Sequence, residues 1–217
     1  TKFFSFYYNK ESGLLKILNI NGDTIISSLA LFSEWYDENT KSKKQFWNYH
    51  FSFRKDSVTE EGNYINLWAH DDIFQNEITI LAGDQNNLSF RVVSVFNHPV
   101  TLYRHSLIAG FTLPVKEVYK KSTLTDTIYF NKEYWLDKEG FALSNGRSSL
   151  VLYHPEEVSS IQLDVSNKSV IINMDYCADH PLLHFPLLKK NQNKFEDYST
   201  SVYRKNDTIR SAFTFYS

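Results

Sequence analysis

The sequence predicts an all-β protein, a large antiparallel β-sandwich of the supersandwich type with few short helices, from three observations. Aromatic residues make up 16% of the chain, with 17 Phe, 14 Tyr and 4 Trp against only 7 Gly, and flat or branched side chains suit pleated, half-buried surfaces. Apolar and polar residues alternate with a period of two in segment after segment, the spacing at which side chains share one face of a strand. Short turn signals separate these segments, and no long amphipathic helix alternates with them as a parallel α/β fold requires.

Taken in order, residues 13–20 and 23–29 flank Asn21–Gly22, a strong hairpin signal. The run from Phe46 alternates, with Tyr49, Phe51 and Phe53 against Asn48, His50 and Ser52. Ile65, Leu67 and Ala69 oppose Asn66, Trp68 and His70 in the same way. Leu88, Phe90, Val92, Ser94 and Phe96 oppose Arg91, Val93 and Val95, and apolar residues on both faces predict a central strand. Further strands are expected at 100–113, 127–134, 148–153, 159–165, 169–176 and 208–216, giving roughly a dozen or more in all. Short helices are expected at 29–38 and 155–158. His98, His154 and His180 each precede proline, which withholds a ladder donor and predicts a strand end at each.

The 217 residues suit one domain spanning 1–217. The chain begins at Thr1 and ends on a strand pattern, so it is read as a domain cut from a longer exported protein, with an extracytoplasmic location: periplasmic, cell-surface or secreted. A net charge of −2 argues against nucleic acid, which needs a concentrated basic surface. The basic clusters Lys41–Lys43–Lys44 and Lys189–Lys190 read as solvated loops. One cysteine, Cys177, excludes an intrachain disulfide framework, and no apolar run is long enough to span a bilayer.

Motifs that would settle a chemistry are missing. There is no G-x-S-x-G elbow and no phosphate-binding glycine loop. His180 and His184 have a zinc-like spacing. In an extended segment they would lie about 13 Å apart at about 3.3 Å per residue, whereas zinc ligands converge on bonds of about 2.0–2.1 Å. Only a turn at Pro181 or a helix beginning there could bring the two together, and no metal and no cofactor are expected. Rings beside polar groups are the more suggestive pattern, as in Phe46–Trp47–Asn48–Tyr49–His50, Trp68–Ala69–His70–Asp71 and Tyr134–Trp135. A sugar offers an apolar C–H face and a rim of hydroxyls, and rings with a polar neighbour also serve as core anchors. The candidate ligand-binding residues are Trp47, His50, Trp68, His70, Arg104 and Trp135.

Residues 13–114 resemble the opening half of the galactose-mutarotase-like β-supersandwich. The hairpin at Asn21–Gly22, the strand Leu88–Ser89–Phe90–Arg91–Val92, the turn at Asn97–His98–Pro99 and the following segment to His105 carry the resemblance. In aldose epimerases a similar turn leads to an L-x-x-H strand whose histidine contacts the sugar, which implies His105 as the catalytic candidate. Arg104 stands where those enzymes carry Asn, and Leu107–Ile108 where they carry Phe-Asn. The resemblance therefore implies the fold ahead of the activity.

The function expected from these readings is carbohydrate binding, as an accessory domain for a poly- or oligosaccharide, with an adjacent catalytic domain as partner. Two alternatives stay open. One is a mutarotase-like or glycan-cleaving enzyme, with His105 as general acid or donor to the ring oxygen and a carboxylate as base. The other is an adhesive cell-surface module with an extended apolar patch.

Overall fold

The first hairpin shows how local chemistry starts the fold. Its strands are β1 (Phe4–Tyr8), β2 (Leu15–Asn19) and β3 (Thr24–Ile26), which form a three-stranded sheet. The Asn19 carbonyl accepts from Gly22 N–H and the Asn19 N–H donates to the Asp23 carbonyl, each at 3.0 Å. Gly22 has φ 82°, a left-handed conformation that glycine adopts without steric cost. The Asn19 side chain adds a second layer, since its Oδ1 accepts from Asn21 N–H at 3.0 Å and from Asp23 N–H at 2.9 Å. This is a longer loop than the two-residue turn suggested by Asn21–Gly22, with the glycine closing it.

The computed structural model describes residues 4–9, 11, 15–19, 21–37, 39–48, 51–52, 64–83, 87–112, 117–120, 123–127, 133–136, 140–144, 149–156, 160–164, 168–176 and 201–216. The remaining strands are β4 (Ser28–Asp37), β5 (Ser42–Asn48), β6 (Tyr64–His70), β7 (Phe74–Ala82), β8 (Asn87–Phe96), β9 (Val100–Gly110), β10 (Glu117–Lys120) and β11 (Thr123–Thr127). They continue with β12 (Glu133–Leu136), β13 (Gly140–Ser144), β14 (Ser149–Glu156), β15 (Ser160–Asp164), β16 (Ser169–Tyr176), β17 (Ser201–Tyr203) and β18 (Thr208–Tyr216). Two large sheets result. One has eight strands in the order β11-β10-β13-β14-β18-β8-β7-β6. The other has seven, in the order β12-β15-β16-β9-β4-β5 with β17 on β9. Their pairings are antiparallel throughout.

The two sheets face one another across an apolar core. From the eight-stranded sheet, Ile78, Ile80, Phe90, Val92, Phe213 and Phe215 point inward, while Leu29, Leu31, Leu107, Val170 and Ile172 do so from the seven-stranded one. Phe90 stacks on Phe213 at 5.2 Å between ring centroids and meets Phe215 edge-on at 5.7 Å, arrangements favoured by the ring quadrupole. The small sheet joins the same core through Phe4, Leu15, Ile17 and Ile26. It is also tied by the Tyr8 hydroxyl, which donates to the Phe51 carbonyl and accepts from Phe51 N–H.

Several expectations need correction. Residues 29–38 do not begin a helix, because Ser28–Asp37 is β4, a strand inside the seven-stranded sheet. Both faces of β4 are covered, with Leu29 and Leu31 in the central core and Ala30 and Phe32 buried on the other side. Such a run lacks the alternation that separates a strand from a helix. Pro155 lies within β14, and no helix occurs among the described residues. The ladder between β14 and β18 shifts register between Tyr153 and Glu156, and β14 ends at Glu156, directly after the His154–Pro155 pair. A bulge absorbs the missing donor there.

Phe90→Ala should lower stability by about 3–5 kcal/mol, the usual cost of emptying a buried aromatic site. The urea midpoint of the variant against the parent measures it.

Candidate functional site

The central strand β9 carries both His105 and Arg104, and a bulge decides which way each points. Along β9, Val100 and Leu102 are buried in the core, and so are His105, Leu107 and Ala109. Strict alternation would place Leu102 and His105 on opposite faces. The ladder with β4 pairs Trp35 with Leu102 but Glu34 with Arg104, which leaves Tyr103 as the extra residue. One inserted residue reverses the parity of everything after it. His105 therefore turns into the sandwich and Arg104 out of it.

Inside, His105 is 0% exposed. Its Nδ1 lies 2.9 Å from Ser33 Oγ, its neighbour across the ladder on β4. Its Nε2 lies 2.7 Å from Ser94 Oγ on β8, in the opposite sheet. The ring stacks on Phe74 at 4.2 Å between centroids. A neutral imidazole has one N–H and one bare nitrogen, so one hydroxyl accepts from it and the other donates to it. Burial pushes its pKa down to about 3, because a charged ring in that environment would lose its hydration. The catalytic role expected of His105 needed an open pocket with a carboxylate partner. Among the described side chains, two serine hydroxyls meet its nitrogens and a phenylalanine its face, and the ring is sealed from solvent.

On the outer face of the same sheet a different group assembles. Arg104 lays its guanidinium carbon 5.5 Å from the centre of the Phe32 ring, within the range of a cation–π contact. Its Nε–H donates to Ser106 Oγ and to Asn173 Oδ1, each at 2.9 Å, and Ser106 Oγ donates to Asn173 Oδ1 at 2.7 Å. Ser106 and Asn173 are fully buried, so the base of the arginine is held by groups that cannot move into water. Phe32 packs against Trp47 of the edge strand β5 with 4.6 Å between centroids, and Trp47 remains 45% exposed. Beside them Glu34 accepts from Gln45 Nε2 at 3.2 Å and sits 3.5 Å from Lys43 Nζ. That ammonium also lies 4.4 Å from the centre of the Tyr103 ring. An indole surface thus adjoins a fixed cation, a carboxylate and an amide on one sheet.

The other candidates are scattered. Trp68 and His70 lie on β6, the edge of the eight-stranded sheet, with His70 exposed and Trp68 half-buried. Trp47 and Arg104 come together; Trp68 and His70 belong to the opposite sheet. Trp135 is on β12 and pairs in register with Gln162. His50, Cys177, His180 and His184 lie outside the described residues. Asp71 organises a turn, its Oδ1 accepting from the N–H groups of Ile73 and Phe74 at 2.8 and 2.6 Å. Burial raises its pKa above the usual carboxylate value, against the pull of those two bonds. Reading from the sequence missed Phe32, Glu34, Gln45, Ser106 and Asn173. The i, i+2 spacing of Phe32 and Glu34 was a usable signal once 28–37 is taken as a strand.

No family model matches the chain, and no curated protein matches it. Among solved structures it is similar to a polysaccharide lyase with a TM-score of 0.52 at 7% identity, covering 99% of this chain and 32% of that one. The chain thus spans 32% of that lyase's length. It also matches a GalM/aldose epimerase homologue from C. elegans with a TM-score of 0.47 at 10% identity, covering 98% of each chain. The likeness to the lyase, at that identity, is one of fold. The antiparallel β-sandwich anticipated from the sequence is the architecture found.

The folded chain keeps His105 neutral down to about pH 3, while the unfolded chain protonates it near 6.5. The unfolded state then binds the extra proton between those values, so this group's contribution to stability falls as pH drops, by about 1.4 kcal/mol per unit. His105→Phe should flatten that slope by about one proton and, by stranding two buried hydroxyls, cost about 1–3 kcal/mol at neutral pH. Urea unfolding at a series of pH values tests both.

Proposed function

We propose that this chain is a carbohydrate-binding, accessory β-supersandwich domain of an exported, extracytoplasmic glycan-processing protein. In this reading residues 1–217 form one domain beside a catalytic one, and the ligand is a poly- or oligosaccharide. The observation that carries the reading is the exposed Trp47 ring, packed on Phe32 and flanked by an anchored Arg104 and by Glu34 with Gln45. An indole plane suits the C–H face of a pyranose, and the surrounding donors and acceptors suit its hydroxyls. A fold shared with a polysaccharide lyase supports the same direction.

Binding is preferred to catalysis because the one histidine with an implied catalytic role is sealed between the sheets. Binding is preferred to adhesion because, among the described residues, the exposed apolar side chains outside β5 do not gather. Tyr7, Leu81 and Val202 lie on β1, β7 and β17, which belong to three different sheets.

Trp47→Ala should weaken binding to a recognised glycan about tenfold or more, equivalent to about 1.4 kcal/mol, with little change in melting temperature. Arg104→Lys should also weaken it, because an ammonium reproduces neither the stacked plane nor the fixed Nε–H donor. Titration calorimetry on a ligand chosen from a glycan array measures both, and an array on which the parent protein recognises nothing defeats the proposal.

A further inference from the structure

Asn76 is the strangest residue of the core. It lies on the inward face of β7 between Phe74 and Ile78, and it is 1% exposed. Neither its Oδ1 nor its Nδ2 has a hydrogen-bond partner. A buried amide left in this condition forfeits its interactions with water for nothing in return, and such groups in folded proteins are generally satisfied by ordered water.

Its ladder neighbours are a small side chain and a hydroxyl with bonding capacity to spare. On one side Asn76 pairs with Ala69 of β6, whose side chain is a single methyl. On the other it pairs with Ser94 of β8, also fully buried. Directly opposed residues of an antiparallel pair have Cβ atoms about 4.5–5.5 Å apart. A water between the amide and the hydroxyl can therefore reach both. Ser94 Oγ already bonds His105 Nε2. If it donates there, its lone pairs accept from water; if it accepts there, its proton goes to water. Both arrangements leave it able to bind a further partner.

We propose that Asn76 and Ser94 form an internal hydration site, with water bridging the amide to the hydroxyl. The hydrogen-bonded chain then runs from Ser33 through His105 and Ser94 to water and Asn76, linking β4, β9, β8 and β7. This site is separate from the outer face carrying Trp47 and Arg104, so it stands or falls independently of sugar binding.

Three measurements on the whole chain test it. A high-resolution crystal structure should show water density within hydrogen-bond distance of both the Asn76 amide and Ser94 Oγ. Oxygen-17 relaxation dispersion should count more long-lived waters in the parent than in Asn76→Leu, a substitution close in shape. The same variant should unfold at lower urea concentration, since it strands the water and Ser94. A higher midpoint for Asn76→Leu, or well-ordered side chains with no density between them, would overturn the proposal by marking the amide as dry. Should Asn76→Leu fail to fold, the density around the parent's Asn76 decides alone.

Discussion

Two sheets of this protein are joined through one imidazole. His105 reaches Ser33 in its own sheet and Ser94 in the other while stacking on Phe74. A polar ring in an apolar interior is tolerable only when both nitrogens are matched, since each unmatched one would cost its full desolvation. Both are matched, and the ring stays neutral because charging it there is unfavourable. The two hydroxyls also constrain how the sheets lie over one another, which contacts between aliphatic side chains do far less specifically.

That interior bond is inseparable from the outer face. His105 can turn inward only because Tyr103 is inserted in the ladder, and the same insertion turns Arg104 outward. Once outward, Arg104 meets Phe32 from β4 and Asn173 from β16, while Phe32 meets Trp47 from β5. Four strands, from a β4–β5 hairpin and from distant β9 and β16, thus contribute to one surface. Its rigid parts are the buried Ser106 and Asn173, and its accessible part is the Trp47 ring. A sheet face supported from beneath in this way keeps a ring and a cation in fixed relation, which lowers the ordering cost of binding.

The elements were more legible than the site. Alternation in 88–96 places Leu88, Phe90, Val92, Ser94 and Phe96 on the buried face of β8, and 169–176 and 208–216 coincide with β16 and β18. Period two is a local property, and burial of one face writes it directly into the chain. It failed at β4, where both faces are covered and the run reads equally well as a helix.

From the sequence alone came an all-β class, a sandwich of antiparallel sheets and the positions of most strands. Which residues stand beside Trp47 and Arg104, and which way His105 faces, were decided only in three dimensions. Strand pairing joins residues such as Phe32 and Ser106 that have no sequence relation, and an inserted residue reverses facing without altering composition. Local alternation reports that a strand has an inside; the ladder and its irregularities determine what that inside touches.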